Sequence, residues 1–172
     1  MAEAYSKLYV EDAQDVIPES FSFATYYLKL SLEEYVEKFL AFKYIHQLEV
    51  GNPHYLSGMS GIELAAEIVN IVPERRHYDY IPYGRDYWIG WIVAYYQWSR
   101  NVTYKTIFSK FSLERFIIAY PTFHEQDEEK MYEYMDEIIF GENKWIIYDL
   151  TMFHKLNKME VLWLKKRLMS LI

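Results

Sequence analysis

The apolar positions of this chain recur at three- and four-residue steps over most of its length, the spacing that stacks side chains on one face of a helix. The strongest run is residues 85–99, RDYWIGWIVAYYQWS. Trp88, Ile92, Tyr95 and Trp98 fall on one side of such a helix. Ile89, Val93 and Tyr96 fall on a second side, and Gly90 with Ala94 leaves a shallow groove for a neighbouring helix. A helix apolar nearly all round is a buried one. Fifteen residues reach only about 22 Å, too short to cross a bilayer comfortably. The pattern therefore predicts a central helix in a helical domain.

The same periodicity, with its punctuation, predicts the other elements. Tyr5 to Leu30 reads as helix broken at Val16–Ile17 and restarted at Pro18, since proline is tolerated in a first turn; Phe21, Thr25 and Leu28 would face inward. Ser31 with Glu34 forms a capping box, and the stripe Tyr35, Phe39, Phe42, Ile45 and Leu48 predicts one helix running to Gly51. GNPHYLSGMSG (51–61) is a glycine-rich loop. Ser60 with Glu63 is a second box, opening a helix to Pro73, and PERRHYDYIPYG (73–84) is a second loop. Thr103 and Ser112 are N-caps of short helices. Pro121 punctuates, and Thr122 with Glu125 makes a third box before a helix to Phe140, stopped at Gly141. Residues 144–154 fit neither the helical nor the strand period, and a last helix starts at Asn157 with Val161, Leu164, Leu168 and Leu171 as its stripe. The expected fold is all-α: a single compact helical domain of about seven or eight helices around a buried Trp/Tyr-rich central helix. Residues 1–141 would form its core and residues 142–172 a helical extension packed on that core.

Composition narrows the function classes. At 52% hydrophobic and 19% aromatic the chain is not intrinsically disordered. The absence of cysteine removes disulfides, thiolate zinc sites and cysteine nucleophiles together. The N-terminal MAEAYSKLYVEDAQ carries acids where a secretion signal needs a basic and then an apolar run, so the expected location is the cytoplasm. Charge is uneven. Residues 1–50 carry four Lys/Arg against nine Asp/Glu (−5), residues 51–141 eight against thirteen (−5), and residues 142–172 six against three (+3). An acidic body argues against non-specific nucleic-acid binding and suits a basic partner.

No constellation of catalytic residues emerges. The five histidines, at 46, 54, 77, 124 and 154, lack metal-ligand spacing. The glycine-rich loop lacks the lysine and the preceding strand of a phosphate-binding loop, so its glycines read as turn and close-approach positions. No nucleophile, base and orienting group assemble, and no cofactor or metal is expected. What remains is recognition. Tyr78, Tyr80 and Tyr83 combine large contact area with few rotatable bonds, the character of interface hot spots, and Arg75 and Arg76 stand beside them for charge-assisted contacts. With Asn52, His54 and Tyr55 of the glycine-rich loop they form the candidate binding surface. Two other readings of the Arg-Tyr loop stay open: an anion- or base-stacking site, and an ordinary exposed loop.

Four stretches also carry a family resemblance: Tyr9-Val10-Glu11-Asp12-Ala13; Gly51-Asn52-Pro53-His54-Tyr55 followed by Gly58-Met59-Ser60-Gly61-Ile62-Glu63-Leu64-Ala65; residues 87–98, YWIGWIVAYYQW; and Pro121-Thr122-Phe123-His124-Glu125. Over roughly residues 5–140 the chain resembles a small family of Firmicute proteins from toxin–antitoxin operons, found beside ADP-ribosyltransferase-like proteins. Many relatives continue into a C-terminal helix-turn-helix with a Leu-Ser-Gln signature, which residues 142–172 lack. The resemblance implies a non-catalytic, antitoxin-like module that occludes a toxin or defence effector; the exposed aromatics would equally suit a homodimer. Two alternatives stand beside it: a DNA-associated transcriptional regulator of its own operon, and a phage or mobile-element inhibitor of a host defence protein.

Overall fold

Two long helices run alongside each other in opposite directions, and the other elements attach to them. The computed structural model describes residues 3–72 and 81–141. Within it α1 (Val10–Tyr26) and α6 (Arg85–Arg100) are joined at both ends and in the middle. The Ser22 hydroxyl donates to the Pro82 carbonyl at 2.7 Å. At the other end the Trp98 indole N–H donates to the Tyr5 carbonyl at 2.9 Å, and the Ala4 N–H donates to the Trp98 carbonyl at 3.0 Å. Between these points Gly90 sits directly on Pro18. A Cβ added at Gly90 would come within 2.5 Å of the Pro18 Cα, so only a bare backbone fits there.

That contact corrects the expected break in the first helix. Pro18 lies inside a continuous α1, although it cannot donate to the Gln14 carbonyl. One hydrogen bond is lost. Val16, Ile17, Phe21 and Phe23 on either side of the proline are all buried, and their burial outweighs that bond. Pro121 repeats the correction on a smaller scale: α8 (Leu113–Phe123) runs through it. The box proposed for Thr122 and Glu125 does not form. Instead the Thr122 carbonyl accepts from the Gln126 side chain, and Asp127 opens α9 (Glu128–Phe140) by accepting the Glu129 N–H at 3.0 Å.

Caps account for most of the remaining boundaries. Both capping boxes predicted at Ser31–Glu34 and Ser60–Glu63 are present, opening α2 (Leu32–Ala41) and α5 (Gly61–Val69). Thr103 and Ser112 cap α7 (Tyr104–Lys110) and α8 as expected. The single helix predicted from Ser31 to Gly51 is two: Phe42 is extended, and α3 spans Ile45–Glu49. No proline or glycine marks this break. Phe42 leaves the helical path so that its ring packs edge-on against Tyr44 and Tyr55, at 5.7 and 6.1 Å. Gly51, at φ +71°, then ends α3 in a Schellman arrangement, with Gly51 N–H on the Leu48 carbonyl and Asn52 N–H on the Gln47 carbonyl. The loop at 51–61 contains a short helix, α4 (Pro53–Leu56). Helix α5 stops at Asn70, which takes the left-handed conformation before Pro73 is reached.

Among the described residues there are nine α-helices, one 3-10 turn at Lys7–Tyr9, and no strand. The core is aromatic: Phe21 meets Tyr35 and Phe39 edge-on at 5.2 and 5.3 Å, and Phe39 meets Tyr104 at 5.0 Å. The chain divides into two compact units, Met1–Tyr132 and Glu133–Ile172, with the division inside α9. Residues 142–172, including the ambiguous segment 144–154 and the helix expected from Asn157, lie outside the described residues.

On α6 the burial is narrower than the sequence pattern suggests. Ile89, Gly90, Ile92, Val93, Ala94, Tyr96, Gln97 and Trp98 are buried, whereas Trp88, Trp91 and Tyr95 are only partly so.

Two predictions follow from this packing. In an open helical position Gly→Ala gains about 1 kcal/mol, but at Gly90 the methyl meets backbone. Overpacking of this kind costs about 1–3 kcal/mol, so Gly90→Ala is expected to lower stability in urea unfolding. A gain in stability would show that the helices are not in contact there. The second concerns alkali. Burial raises the phenols of Tyr5, Tyr35 and Tyr104 above their ordinary 10.0, and burial with its neighbours holds Tyr87 at about 12. The folded state thus keeps protons that the unfolded chain releases. Stability is full below pH 10 and is lost as pH rises from there through about 12. Urea midpoints that do not fall from about pH 9 to about pH 11, across the phenol range, would contradict this.

Candidate functional site

An aromatic ladder runs along α6 beside its contact with α1. Tyr87 and Trp91 are four residues apart on the helix and so share a face, and Tyr83, just before the helix, adds a ring at its start. Tyr83 meets Tyr87 at 4.5 Å, and Tyr87 stacks on Trp91 at 6.4 Å with planes 25° apart. Beyond Trp91 the line is covered by the start of α9. The Trp91 indole N–H donates to Glu128 Oε1 at 2.7 Å, and Tyr95 stacks on Tyr132 at 5.0 Å. The Tyr132 hydroxyl donates to Glu128 Oε2 at 3.1 Å, and Arg100 lies 3.9 Å from Glu129. The first ring is uncovered, Tyr83 being 76% exposed, and Tyr87 is part-exposed.

Carboxylates of α1 flank these open rungs. Glu11, Asp15 and Glu19 recur at four-residue steps on one face, with Asp12 beside them. Burial first, then Tyr83 and the charges of Asp15 and Glu19, push the Tyr87 phenol up to about 12. Asp15 is itself raised, by partial burial and then by Asp12 and Glu11. The Glu19 carboxylate accepts the Gly61 N–H at 2.6 Å, and Asp12 accepts from the Ser57 hydroxyl. Among the described residues no Lys, Arg or His forms an ion pair with any of these four acids.

A groove of about 280 Å³ adjoins the ladder, between the C-terminal part of α1 and the start of α6. Ser22 and Tyr26 line one side, and Pro82, Arg85, Asp86 and Tyr87 the other. Arg85 is held by its neighbour Asp86 at 2.8 Å. Tyr26 is nearly half exposed, with the Lys29 ammonium over its ring at 5.0 Å. The groove offers aromatic and hydroxyl surface with both charge signs.

The residues predicted from sequence distribute unevenly. Tyr83 stands at the open end of the ladder. Arg75, Arg76, Tyr78 and Tyr80 lie outside the described residues. The Asn52 side chain accepts the His54 N–H at 2.9 Å as the cap of α4 and donates to Gln47 Oε1 at 2.7 Å. His54 is exposed, its ring 5.0 Å from that of Tyr55. Tyr55 is turned inward, 6% exposed against Phe42 and Tyr44, so its ring is a packing element rather than contact surface. Asp15, Tyr26, Tyr87 and Trp91 were missed. The four-residue spacing of Tyr83, Tyr87 and Trp91 was available as a signal, but a helix apolar all round gives no sign of which face is left open.

No family model, curated protein or solved structure matches the chain. Among the described residues no helix is long and apolar enough to cross a membrane, and no group of three or more His, Asp or Glu side chains is placed to hold a metal ion.

Trp91 tests this division of α6 into a covered and an open half. Its indole is part-buried and makes one hydrogen bond, so Trp91→Ala is expected to cost about 1–2 kcal/mol. Phe116→Ala, in the fully buried core, should cost about 3–5 kcal/mol. Equal losses for the two in thermal unfolding would mean that Trp91 belongs to the core.

Proposed function

We propose that this chain is a non-catalytic protein-binding module that acts by occluding a protein partner, in the manner of an antitoxin or inhibitor. The observation that carries the reading is the open end of the aromatic ladder. Tyr83, just before α6, presents its ring to solvent, and Tyr87, part-exposed in the first turn, stands beside the side of α6 that is locked to α1. Rigid tyrosines lose little conformational entropy on binding and supply large contact area, which is why such residues dominate interface energetics. The groove beside them gives a partner side chain a place to enter. The resemblance to proteins of toxin–antitoxin operons supports the same reading and suggests an ADP-ribosyltransferase-like toxin as the first partner to try. DNA regulation fits this face less well, because its carboxylates repel phosphate. A second copy of the chain is the other protein partner that such a face would accept.

The test is co-expression with the protein encoded beside this gene, followed by affinity measurement on the purified pair. The Tyr83→Ala, Tyr87→Ala double variant should keep its melting temperature within a few degrees, since neither ring is in the core, and should lose roughly thirtyfold in affinity. A folded double variant that binds and neutralises like the wild type would remove this face as the site.

A further inference from the structure

We infer that the occupant of this face is an arginine-bearing segment of the partner protein, with a guanidinium stacked on the Tyr83–Tyr87 rungs and paired with the Asp15 carboxylate. The inference rests on the protein-binding reading above and names the chemistry of the partner. Three features of this face lead to it. The open rungs are aromatic faces, which attract a cation through the ring quadrupole. The acids beside them, Glu11, Asp12, Asp15 and Glu19, have no ion-pair partner among the described residues. Their crowding shows in Asp15, whose carboxyl is held above the usual range by partial burial and by Asp12 and Glu11. A cation brought to this edge would relieve that repulsion.

The planar rungs favour arginine over lysine. Tyr83, Tyr87 and Trp91 form a line of rings with contacts of 4.5 and 6.4 Å. A guanidinium is flat, weakly hydrated, and able to lie on a ring while its edge donates two parallel hydrogen bonds to a carboxylate; an ammonium is a compact, strongly hydrated point charge that does neither as well. Arg85, at the edge of the groove, is already on Asp86.

The experiment uses the full chain and a fluorescein-labelled octa-arginine peptide, with octa-lysine as the equal-charge control, read by anisotropy at about 150 mM salt, where diffuse attraction is screened beyond roughly 8 Å. Octa-arginine should bind several-fold more tightly than octa-lysine and shift the Trp91 indole N–H signal in NMR spectra. Tyr83→Ala with Tyr87→Ala, which leaves every charge in place, should weaken it roughly tenfold. Glu11→Gln with Asp15→Asn should weaken it and flatten its salt dependence. Equal binding of both peptides, or binding indifferent to the two tyrosines, would reduce the effect to general acidity and overturn the inference. Sedimentation of the free chain adds an arm: a wild-type dimer dissociated by the tyrosine pair would make a second copy the occupant and likewise overturn it. Loss of the co-expressed partner with unchanged octa-arginine binding would sink this inference alone. Normal peptide behaviour with an unaffected partner would sink the earlier reading alone.

Discussion

The close contact of Pro18 with Gly90 is the constraint on which the rest of this structure depends. Two helices come close along their length only if one of them presents no side chain at the crossing, and here a Cβ would stand 2.5 Å from the opposing backbone. The contact fixes the register of α1 against α6. With the register set, Ser22 reaches the Pro82 carbonyl at one end and Trp98 reaches Tyr5 at the other. It also gives a helix-breaking residue a stable place inside a helix, because the apolar burial around Pro18 exceeds the one backbone bond it forgoes.

Holding α6 by the Gly90 side leaves the adjoining surface to be shared out. The start of α9 covers the C-terminal part through Glu128 and Tyr132, and the N-terminal part is left with Tyr83 and Tyr87 beside the acids of α1. The same aromatic residue types therefore do two jobs. In the core, Tyr35 and Tyr104 are wholly buried with hydroxyls that have no hydrogen-bond partner among the described residues, a cost accepted for ring packing. On the open rungs the ring faces are what a partner would meet. Such a surface offers shape, polarisable ring area and negative charge, the properties on which the proposed recognition of a cationic protein segment rests.

Much of the local structure was legible in the residues themselves. Capping boxes at Ser31 and Ser60, N-caps at Thr103 and Ser112, and the glycine stop at Gly51 all depend on side chains hydrogen-bonding backbone groups within three or four residues, or on the conformational freedom of one residue. Such signals are complete in a short stretch of sequence. So was the central position of residues 85–99, because a helix without a polar face has nowhere to go but inside.

What only the tertiary structure decided has a common physical cause: each case turns on which distant residue fills a given space. Pro18 and Pro121 looked like breaks until packing made them helix interior. Phe42 looked like one more rung of a helical stripe, yet Tyr44 and Tyr55 draw it out of the helix. Tyr55 read as surface and is core; Trp88 and Tyr95 read as one side of a buried helix and are only partly buried. The candidate site shows the same limit. Sequence pointed to Tyr83 through residue type, but it gave no means of bringing Asp15 and Glu19 to Tyr87, because those acids are some seventy residues away along the chain (residue numbers 15 and 19 against 87) and meet the ladder only once Gly90 has set α1 against α6.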